Sequence, residues 1–489
     1  MTNTRLPIDD VLSDISDALE SGNRLVLSAP PGAGKTTKVP LHLLKAGWLG
    51  GQKIIMLEPR RIAARRAAEF MAKSLGEKVG DTVGVRSRLD TRIGPKTRIE
   101  VVTEGVFTNL ITRDPDLPGI GAVLFDEFHE RSLDADLGLA LALETQEALN
   151  DELRIVIMSA TLDTARVTQV TNAPLVQSDG RAHPVETKYL GRTQERLEDQ
   201  MARAIRKALT AETGSILAFL PGAAEINRTA ERLSDIAGNV VICPLYGALS
   251  PKEQDDAIRP ALIGNRKVVL STDIAESSLT IEGVRVVVDA GLARVPEFSP
   301  GSLGTALRTV KASLANVDQR RGRAGRTEPG VCYRLWHEEE NRGLPKSVVP
   351  EILNADLSGM LLRLAHWGDP DPFKLTWLDP PQKGIVDGAL QSLRALKLLD
   401  EHGHLTSVGQ AAVRLPLSPR LARLVLTGRD ESERALGARI AALLSEQGLG
   451  GNDINLTHRV DMFDRAGSQR AKSMKTKAQD WAGTKSAPK

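Results

Sequence analysis

The sequence predicts an α/β chain of two successive parallel-sheet domains, followed by a mainly helical segment. Three observations predict it. Short apolar, β-branched runs alternate with amphipathic helical stretches over residues 1–185. The same alternation recurs over 186–345. Beyond 346 the strand-like runs fade, and apolar residues recur at helical spacing. Near-continuous apolar strands with helices between them are what a parallel sheet covered on both faces requires. A chain of 489 residues is also too long for one ordinary core.

The strands of the first domain read R-L-V-L-S (24–28), K-I-I-M-L-E (53–58), R-I-E-V-V-T (98–103), A-V-L-F-D-E (122–127) and R-I-V-I-M-S-A-T (154–161). Those of the second read S-I-L-A-F-L (215–220), V-V-I-C-P-L (240–245), K-V-V-L-S-T (267–272), V-R-V-V-V-D-A (284–290) and G-V-C-Y-R-L (330–335). Residues 291–313 read as a hairpin with S-P-G-S-L-G (299–304) as its loop. Helical periodicity over 350–368 and 385–400, followed by H-L-T-S-V-G-Q-A-A, predicts a small helical or winged-helix domain over 346–415. R-L-A-R-L-V-L-T-G and the helix around Glu433–Ser445 begin a further helical unit over 416–465. The last stretch, 466–489, is rich in lysine and shows no evident core face, so a mobile basic tail is expected.

Bulk properties exclude several classes. Lys+Arg 64 against Asp+Glu 62 gives a net charge of +2, so any phosphate-binding surface must come from local clustering. Two cysteines, Cys243 and Cys332, cannot build a disulfide framework or a four-cysteine zinc site, and both are expected as buried thiols. The opening M-T-N-T-R-L-P-I-D-D holds no apolar signal core. No apolar run approaches the ~20 residues needed to span a bilayer. The expected home is the cytoplasm, with no membrane partner.

After the first strand comes A-P-P-G-A-G-K-T-T (29–37). Gly32 and Gly34 permit φ > 0 and close approach of the backbone to a ligand, and the following helix N-terminus favours an anion. Lys35 supplies a cation for the β/γ-phosphates, and Thr36 a hydroxyl for Mg²⁺. This is the P-loop pattern with Ala29 at the first glycine position. D-E-F-H follows a strand: Asp126 suits a metal partner, and Glu127 suits a base for an attacking water. Acids that merely cap the next helix are the structural alternative. S-A-T (159–161) follows another strand. In Q-R-R-G-R-A-G-R (319–326), Arg320, Arg323 and Arg326 are three apart and would drift across one face of a helix. Such arginines can stabilise charge on a transferring phosphoryl group; a solvated basic helix or a plain RNA-binding patch is the alternative.

P-P-G-A-G-K-T, E-P-R-R, T-E-G-V, D-E-F-H, S-A-T, S-T-D-I-A-E-S-S-L-T-I and Q-R-R-G-R-A-G-R occur in this order. The set resembles the DEAH-box/RHA group of superfamily 2 helicases. L-E-P-R-R-I-A-A-R, L-D-P-P and L-P-L-S-P-R-L-A-R resemble its bacterial HrpB type. The resemblance covers essentially the whole chain. It departs at Phe128, where the name-giving alanine would stand. It implies two RecA-like domains, then a winged-helix and a ratchet-like helical segment. Members of the group continue into further C-terminal domains, which this chain is expected to stop short of.

The resemblance also implies roles. Gly32, Ala33, Gly34, Lys35, Thr36 and Thr37 would hold phosphates, with Thr36, Asp126 and Glu127 around Mg²⁺. Glu127 would be the base, Gln319 would place the water, and Arg323 and Arg326 would be fingers. His129 and Ser159 would couple the nucleotide site to closure. Glu282 stands where the group has a ribose-contacting aspartate. Phe70 and Ile258 stand where it sandwiches adenine, although Phe70 as a helix core residue is the alternative. Arg60, Arg61, Arg88, Thr103, Glu104 and Thr272 would touch a strand's backbone. The implied activity is ATP-dependent 3′→5′ translocation on single-stranded RNA by a monomer, with DNA left open. Competing readings are an NTPase switch acting on a protein partner and a non-enzymatic RNA-binding scaffold.

Overall fold

The computed structural model describes residues 5–483 apart from 89, 161–163, 181–182, 237, 277–278, 280, 298–305, 447 and 452. It forms two compact units. One comprises Met1–Ile111, Asp116–Val295 and Leu307–Pro350; the other comprises Thr112–Pro115, Pro296–Ala306 and Glu351–Lys489.

The first unit holds two sheets, here called lobes. The first sheet is built from β1 (Arg24–Ser28), β2 (Lys53–Glu58), β3 (Val83–Arg86), β4 (Thr91–Arg92), β5 (Ile99–Thr103), β6 (Ile120–Phe125), β7 (Arg154–Ser159) and β8 (Leu175–Gln177), in the order β4-β3-β5-β2-β6-β7-β1-β8. Every pairing is parallel except β3 with β4. All six residues of β6 are buried, as a central strand covered on both faces demands. The second sheet uses β9 (Val185–Tyr189), β10 (Ser215–Phe219), β11 (Val240–Leu245), β12 (Arg266–Ser271), β13 (Val284–Asp289) and, after the ribbon β14 (Leu292–Glu297) and β15 (Ala306–Lys311), β16 (Gly330–Arg334). Its order is β11-β12-β10-β13-β16-β9, parallel throughout.

Each apolar run named from the sequence is a strand. The strands not anticipated are β3, β4, β8 and β9, which are short or mix polar residues with apolar ones. Pairing with a neighbour, rather than an apolar run of their own, makes them strands. The hairpin of 291–313 is present as β14 and β15, and its expected loop lies outside the described residues. Cys332, in interior strand β16, is buried, and burial pushes its thiol up to about 12. Cys243 is only half-buried, because β11 is the edge of its sheet.

Arg320 departs from the expected arginine face. The helix Leu314–Gly322 ends before Arg323, so the three arginines do not share one regular helix. Arg320 is buried, ion-paired with Glu276 at 2.8 Å and Asp289 at 3.0 Å, and stacked over Phe219. It is the polar centre of the second lobe's core.

The second unit contains the helices Ser358–Trp367, Lys383–Ala395 and Ser407–Val413, with one antiparallel bridge between Leu399 and Leu405. Pro419–Leu426, Glu431–Ser445, Leu456–Arg465 and Gln469–Ala482 follow. The last helix corrects the expectation of a mobile tail. Ser468 caps it by accepting from Ala471 N–H, and Ala471, Met474, Ala478 and Trp481 form a buried stripe among its lysines. The stripe is narrow and its small residues are inconspicuous beside the intervening lysines. Lys475 binds the carbonyls of Asp464 and Ala466 at 2.7 and 2.9 Å, so part of the basic run is structural. Among the described residues no helix is long and apolar enough to cross a membrane.

A fully buried Met474 predicts that Met474→Asp destabilises this unit by about 3 kcal/mol or more, because the carboxylate gains no partner. Met474→Leu should cost less than ~1.5 kcal/mol. Thermal unfolding and limited proteolysis between 466 and 483 check both.

Candidate active site

The site lies at the carboxyl ends of β1, β2, β6 and β7, where an open α/β sheet binds ligands. After β1 the chain turns through Gly32 (φ 87°) and Gly34 (φ 99°) into the helix Lys35–Leu43. Gly34 is required twice over. Its φ is left-handed, and a Cβ there would lie 2.8 Å from Leu6 Cδ1 and 3.0 Å from Ile8 Cγ2. The N-terminal turn thus straps the loop. Ile8 N–H donates to the Ala33 carbonyl at 3.1 Å, and Asp9 pairs with Lys38 at 3.0 Å. Sequence reasoning missed this strap, whose only signal is L-P-I-D ahead of the first strand. Ala29, at the first glycine position, donates its N–H to the Ser159 carbonyl at 2.9 Å and is buried. That contact ties the loop to the end of β7; Thr161 lies outside the described residues.

Lys35 is buried, with Nζ 2.8 Å from Glu127 Oε1 and 3.5 Å from Asp126 Oδ1. Thr36 Oγ1 donates to Asp126 Oδ2 at 2.5 Å, while Thr37 is half-buried one residue further on. Asp126 follows β6 directly, and its Oδ1 accepts from Glu127 N–H at 2.8 Å. Burial pushes the Lys35 ammonium towards neutrality, but Asp126 and Glu127 more than reverse this and hold it charged. Burial likewise acts to raise the Glu127 carboxyl, but Lys35 and then His129 bring it down to about 2. Glu127 has φ 50°, a left-handed value that costs a non-glycine residue on the order of 1–3 kcal/mol.

His129 Nδ1 is 3.5 Å from Glu127 Oε2, and its Nε2 is 3.2 Å from the Gln319 amide nitrogen of the second lobe. The His129 ring thus lies between Glu127 of the first lobe and Gln319 of the second, and which ring nitrogen carries the proton depends on its tautomer. Arg323 is buried and donates to the carbonyls of Glu276, at 2.8 Å, and Leu279. Its charge helps hold Glu127 ionised. Burial, then the nearby Arg326, acts against the Arg323 charge. Arg326 lies against the P-loop: a Cβ on Gly32 would be 3.8 Å from its Nε and 3.9 Å from its Cζ. Burial lowers the Arg326 guanidinium to about 10, against the pull of Glu127.

Glu58, which ends β2, was not anticipated. It is fully buried and both its oxygens lack a hydrogen-bond partner. Burial, then Asp126 and Glu127, push its carboxyl well up. Its only signal is an acid closing an otherwise apolar strand.

A phosphate chain with a divalent cation fits these residues. Positive-φ glycines, a buried ammonium and the Thr36–Asp126 pair converge, and Glu127 Oε2 is buried without a hydrogen-bond partner.

The residues expected around the nucleoside are not brought together. Phe70 is 56% exposed on the helix Arg61–Ser74, so it is no core residue. Ile258 is packed into the second lobe's core, which leaves it no free face for a sandwich. The neighbouring Arg65 and Arg66 both pair with Asp255 across the lobes, at 2.8 and 2.7 Å. Glu282 is exposed in the turn before β13.

Of the expected strand-binding residues, Arg61 is exposed, and Arg88, Thr103 and Thr272 are half-buried. Arg60 instead bridges the lobes, pairing with Glu130 at 3.1 Å and Asp273 at 3.2 Å. Glu104 is turned inward: it is buried and accepts from Ser132 Oγ, so it faces no strand in this arrangement.

Comparison with known proteins follows the same division. The DEAD/DEAH box helicase family matches residues 12–170, and the helicase conserved C-terminal domain matches 199–328. The chain is 48% identical over 452 residues to the ATP-dependent RNA helicase HrpB of Escherichia coli, covering 91% of this chain and 55% of that protein. It is 31% identical over 433 residues to the ATP-dependent RNA helicase HrpA of Borreliella burgdorferi, covering 87% and 52%. The crystal structure of the E. coli DEAH/RHA helicase HrpB superposes with a TM-score of 0.91 at 45% identity, over 98% of this chain and 60% of that one. A second crystal structure, of the E. coli DExH-box NTPase HrpB, gives 0.86 at 44% identity, over 99% and 60%. The chain spans about half the length of the curated relatives it matches. With two RecA-like lobes and the P-loop facing D-E-F-H, the chain carries the DEAD/DEAH box helicase and helicase C-terminal domains in that order and is similar to the DEAH/RHA helicase HrpB.

Proposed function

We propose that this chain hydrolyses nucleoside triphosphate, ATP included, and couples each turnover to a 3′→5′ step along single-stranded RNA. The observation that carries the reading is Arg326 of the second lobe lying against Gly32 of the first. One phosphate site built from two lobes makes their closure depend on what that site holds. The winged-helix reading of the first helices of the second unit belongs to the same proposal.

Lys35 holds Glu127 in the arrangement described. When the ammonium turns to the β/γ-phosphates, Glu127 is left as a carboxylate able to take a proton from water. Gln319 of the second lobe and His129 stand beside that carboxylate, where they can place the attacking water. Arg323 and Arg326 supply positive charge to the transferring phosphoryl group. Thr36 and Asp126 are the residues that would hold Mg²⁺, which when bound neutralises phosphate charge. Arg61, Arg88, Thr103 and Thr272 offer contacts to phosphate and sugar, which position a strand without reading its bases. Arg60 joins them once it leaves Glu130 and Asp273.

Stimulation of hydrolysis by single-stranded RNA tests the proposal, with DNA in parallel and Glu127→Gln as the inactive control. Strong stimulation by RNA supports a translocase. Turnover that ignores nucleic acid rejects it in favour of a partner-driven switch. The Glu127→Gln variant should bind nucleotide normally yet lose most single-turnover hydrolysis, since an amide cannot accept the proton.

Arg326→Ala should lower kcat by ~10³-fold, with far less change in nucleotide affinity. Steady-state kinetics beside a nucleotide titration separates the two effects. An exposed Phe70 offers a stacking face and no hydrogen-bond readout, so ATP, GTP, CTP and UTP should show similar kcat/KM. Phe70→Ala should raise KM for all four by about tenfold, the size of one lost base stack. A preference for ATP on the order of 10²-fold over GTP would reject Phe70 as the contact.

A further inference from the structure

We propose that Phe128 is a positioning residue for the base Glu127, and that a ladder of three aromatic rings holds the turn that aims its carboxylate. This rests on the hydrolytic reading above and assigns a task to the position where D-E-F-H departs from the family box.

The turn is unusual. Phe128–Glu130 form a single 3-10 turn, bracketed by Glu127 at φ 50° and Arg131 at φ 51°. Side-chain-bearing residues rarely adopt such values, and neither position is a glycine that would do so freely. Local hydrogen bonds close the turn: Glu130 N–H donates to the Glu127 carbonyl at 2.9 Å, and Arg131 N–H to that of Phe128 at 3.2 Å. These bonds alone do not select the left-handed form, so something must hold its ends.

Two anchors do so. At the far end, the Arg131 guanidinium meets both oxygens of Asp136, at 3.0 and 3.2 Å, away from solvent. In the middle, Phe128 is the one buried residue of the 3-10 turn. Its ring meets Phe125 edge-on, centroids 6.0 Å apart at 85°, and Phe125 meets Phe107 at 5.8 Å and 88°. The Arg131 guanidinium lies 5.9 Å from the centroid of the Phe128 ring, linking the two anchors. Phe125 belongs to β6 and Phe107 to the helix Glu104–Arg113, so the ladder ties the turn to two rigid elements.

Room for the ladder comes from Gly138 in the helix Leu133–Ala148. A Cβ there would lie 3.1 Å from Phe107 Cδ1 and 3.4 Å from Phe125 Cε1. An alanine at 128 would leave the turn without its ring. Relaxation of Glu127 to an ordinary φ would then rotate its carboxylate away from Lys35 and His129.

The test is single-turnover hydrolysis and nucleotide affinity for Phe128→Ala, Phe128→Leu and Phe107→Ala, each with a thermal melt. Phe128→Ala should lower the hydrolysis rate by ~10–100-fold, the scale of a misplacement of about 1 Å, with nucleotide affinity unchanged. Phe128→Leu should fall between it and the wild type. Phe107→Ala, at the far end of the ladder, should also slow hydrolysis, and the double variant should lose less than the product of the single effects. A lower melting temperature with wild-type hydrolysis in folded Phe128→Ala makes the ring merely structural and overturns the proposal. If that variant does not fold, wild-type hydrolysis in Phe128→Leu and Phe107→Ala overturns it instead. A wild-type chain without turnover overturns the hydrolytic reading and this proposal together.

Discussion

Lys35 is a cation with almost no access to water, and that single constraint organises the first lobe. A buried ammonium remains charged only where anions stand in for the lost hydration, and removing one partner of such a pair costs about 3–5 kcal/mol. Asp126 and Glu127 supply those anions from the end of β6, while Lys35 itself opens the helix that follows β1. The sheet must therefore bring these two strand ends to one edge with β7 between them. The same edge receives Glu58 from β2 and the Ser159 carbonyl from β7. The charges are arranged so that a phosphate chain can replace the carboxylates as partners of the lysine.

The second lobe meets the same problem, a buried cation, and answers it differently. Arg323 and Arg326 are buried guanidinium groups, and burial acts against their charge. Arg323 donates to the backbone carbonyls of Glu276 and Leu279, which fix its direction without neutralising it. Arg320, one turn earlier, takes the carboxylates of Glu276 and Asp289 and thereby anchors the loop that supplies one of those carbonyls. Near-identical side chains in one short run thus divide into a structural arginine and arginines directed at the first lobe. Arg60, Arg65 and Arg66 add ion pairs to Asp273 and Asp255 across the same boundary. These contacts are partly open to water and individually weak.

Much of the fold was legible because parallel sheets covered on both faces impose apolar runs that few other structures need. Each long strand was visible for that reason. The polar site was legible for a related one: acids, a lysine and glycines placed where apolar strands end have few structural uses. Edge strands such as β4, β8 and β9 were not visible, since pairing rather than composition makes them strands. Neither was the helix Gln469–Ala482, whose narrow stripe of Ala471, Met474, Ala478 and Trp481 is masked by lysines.

The amino-acid order by itself determined the order of the apolar strands and of most helices, and the identity of the groups available for phosphate chemistry. Those depend on local periodicity and on side-chain type, both of which are properties of short stretches. Only the tertiary structure decided which groups meet. It turned Glu104 inward to Ser132, seated Ile258 in a core while leaving Phe70 exposed, and gave Arg60 two acidic partners. It also set Leu6 and Ile8 over Gly34, and stacked Phe128 on Phe125. The partners concerned lie up to 213 residues apart, as Arg60 and Asp273 do. Such pairings are chosen by how elements pack, and packing is a property of the whole lobe that no local pattern encodes.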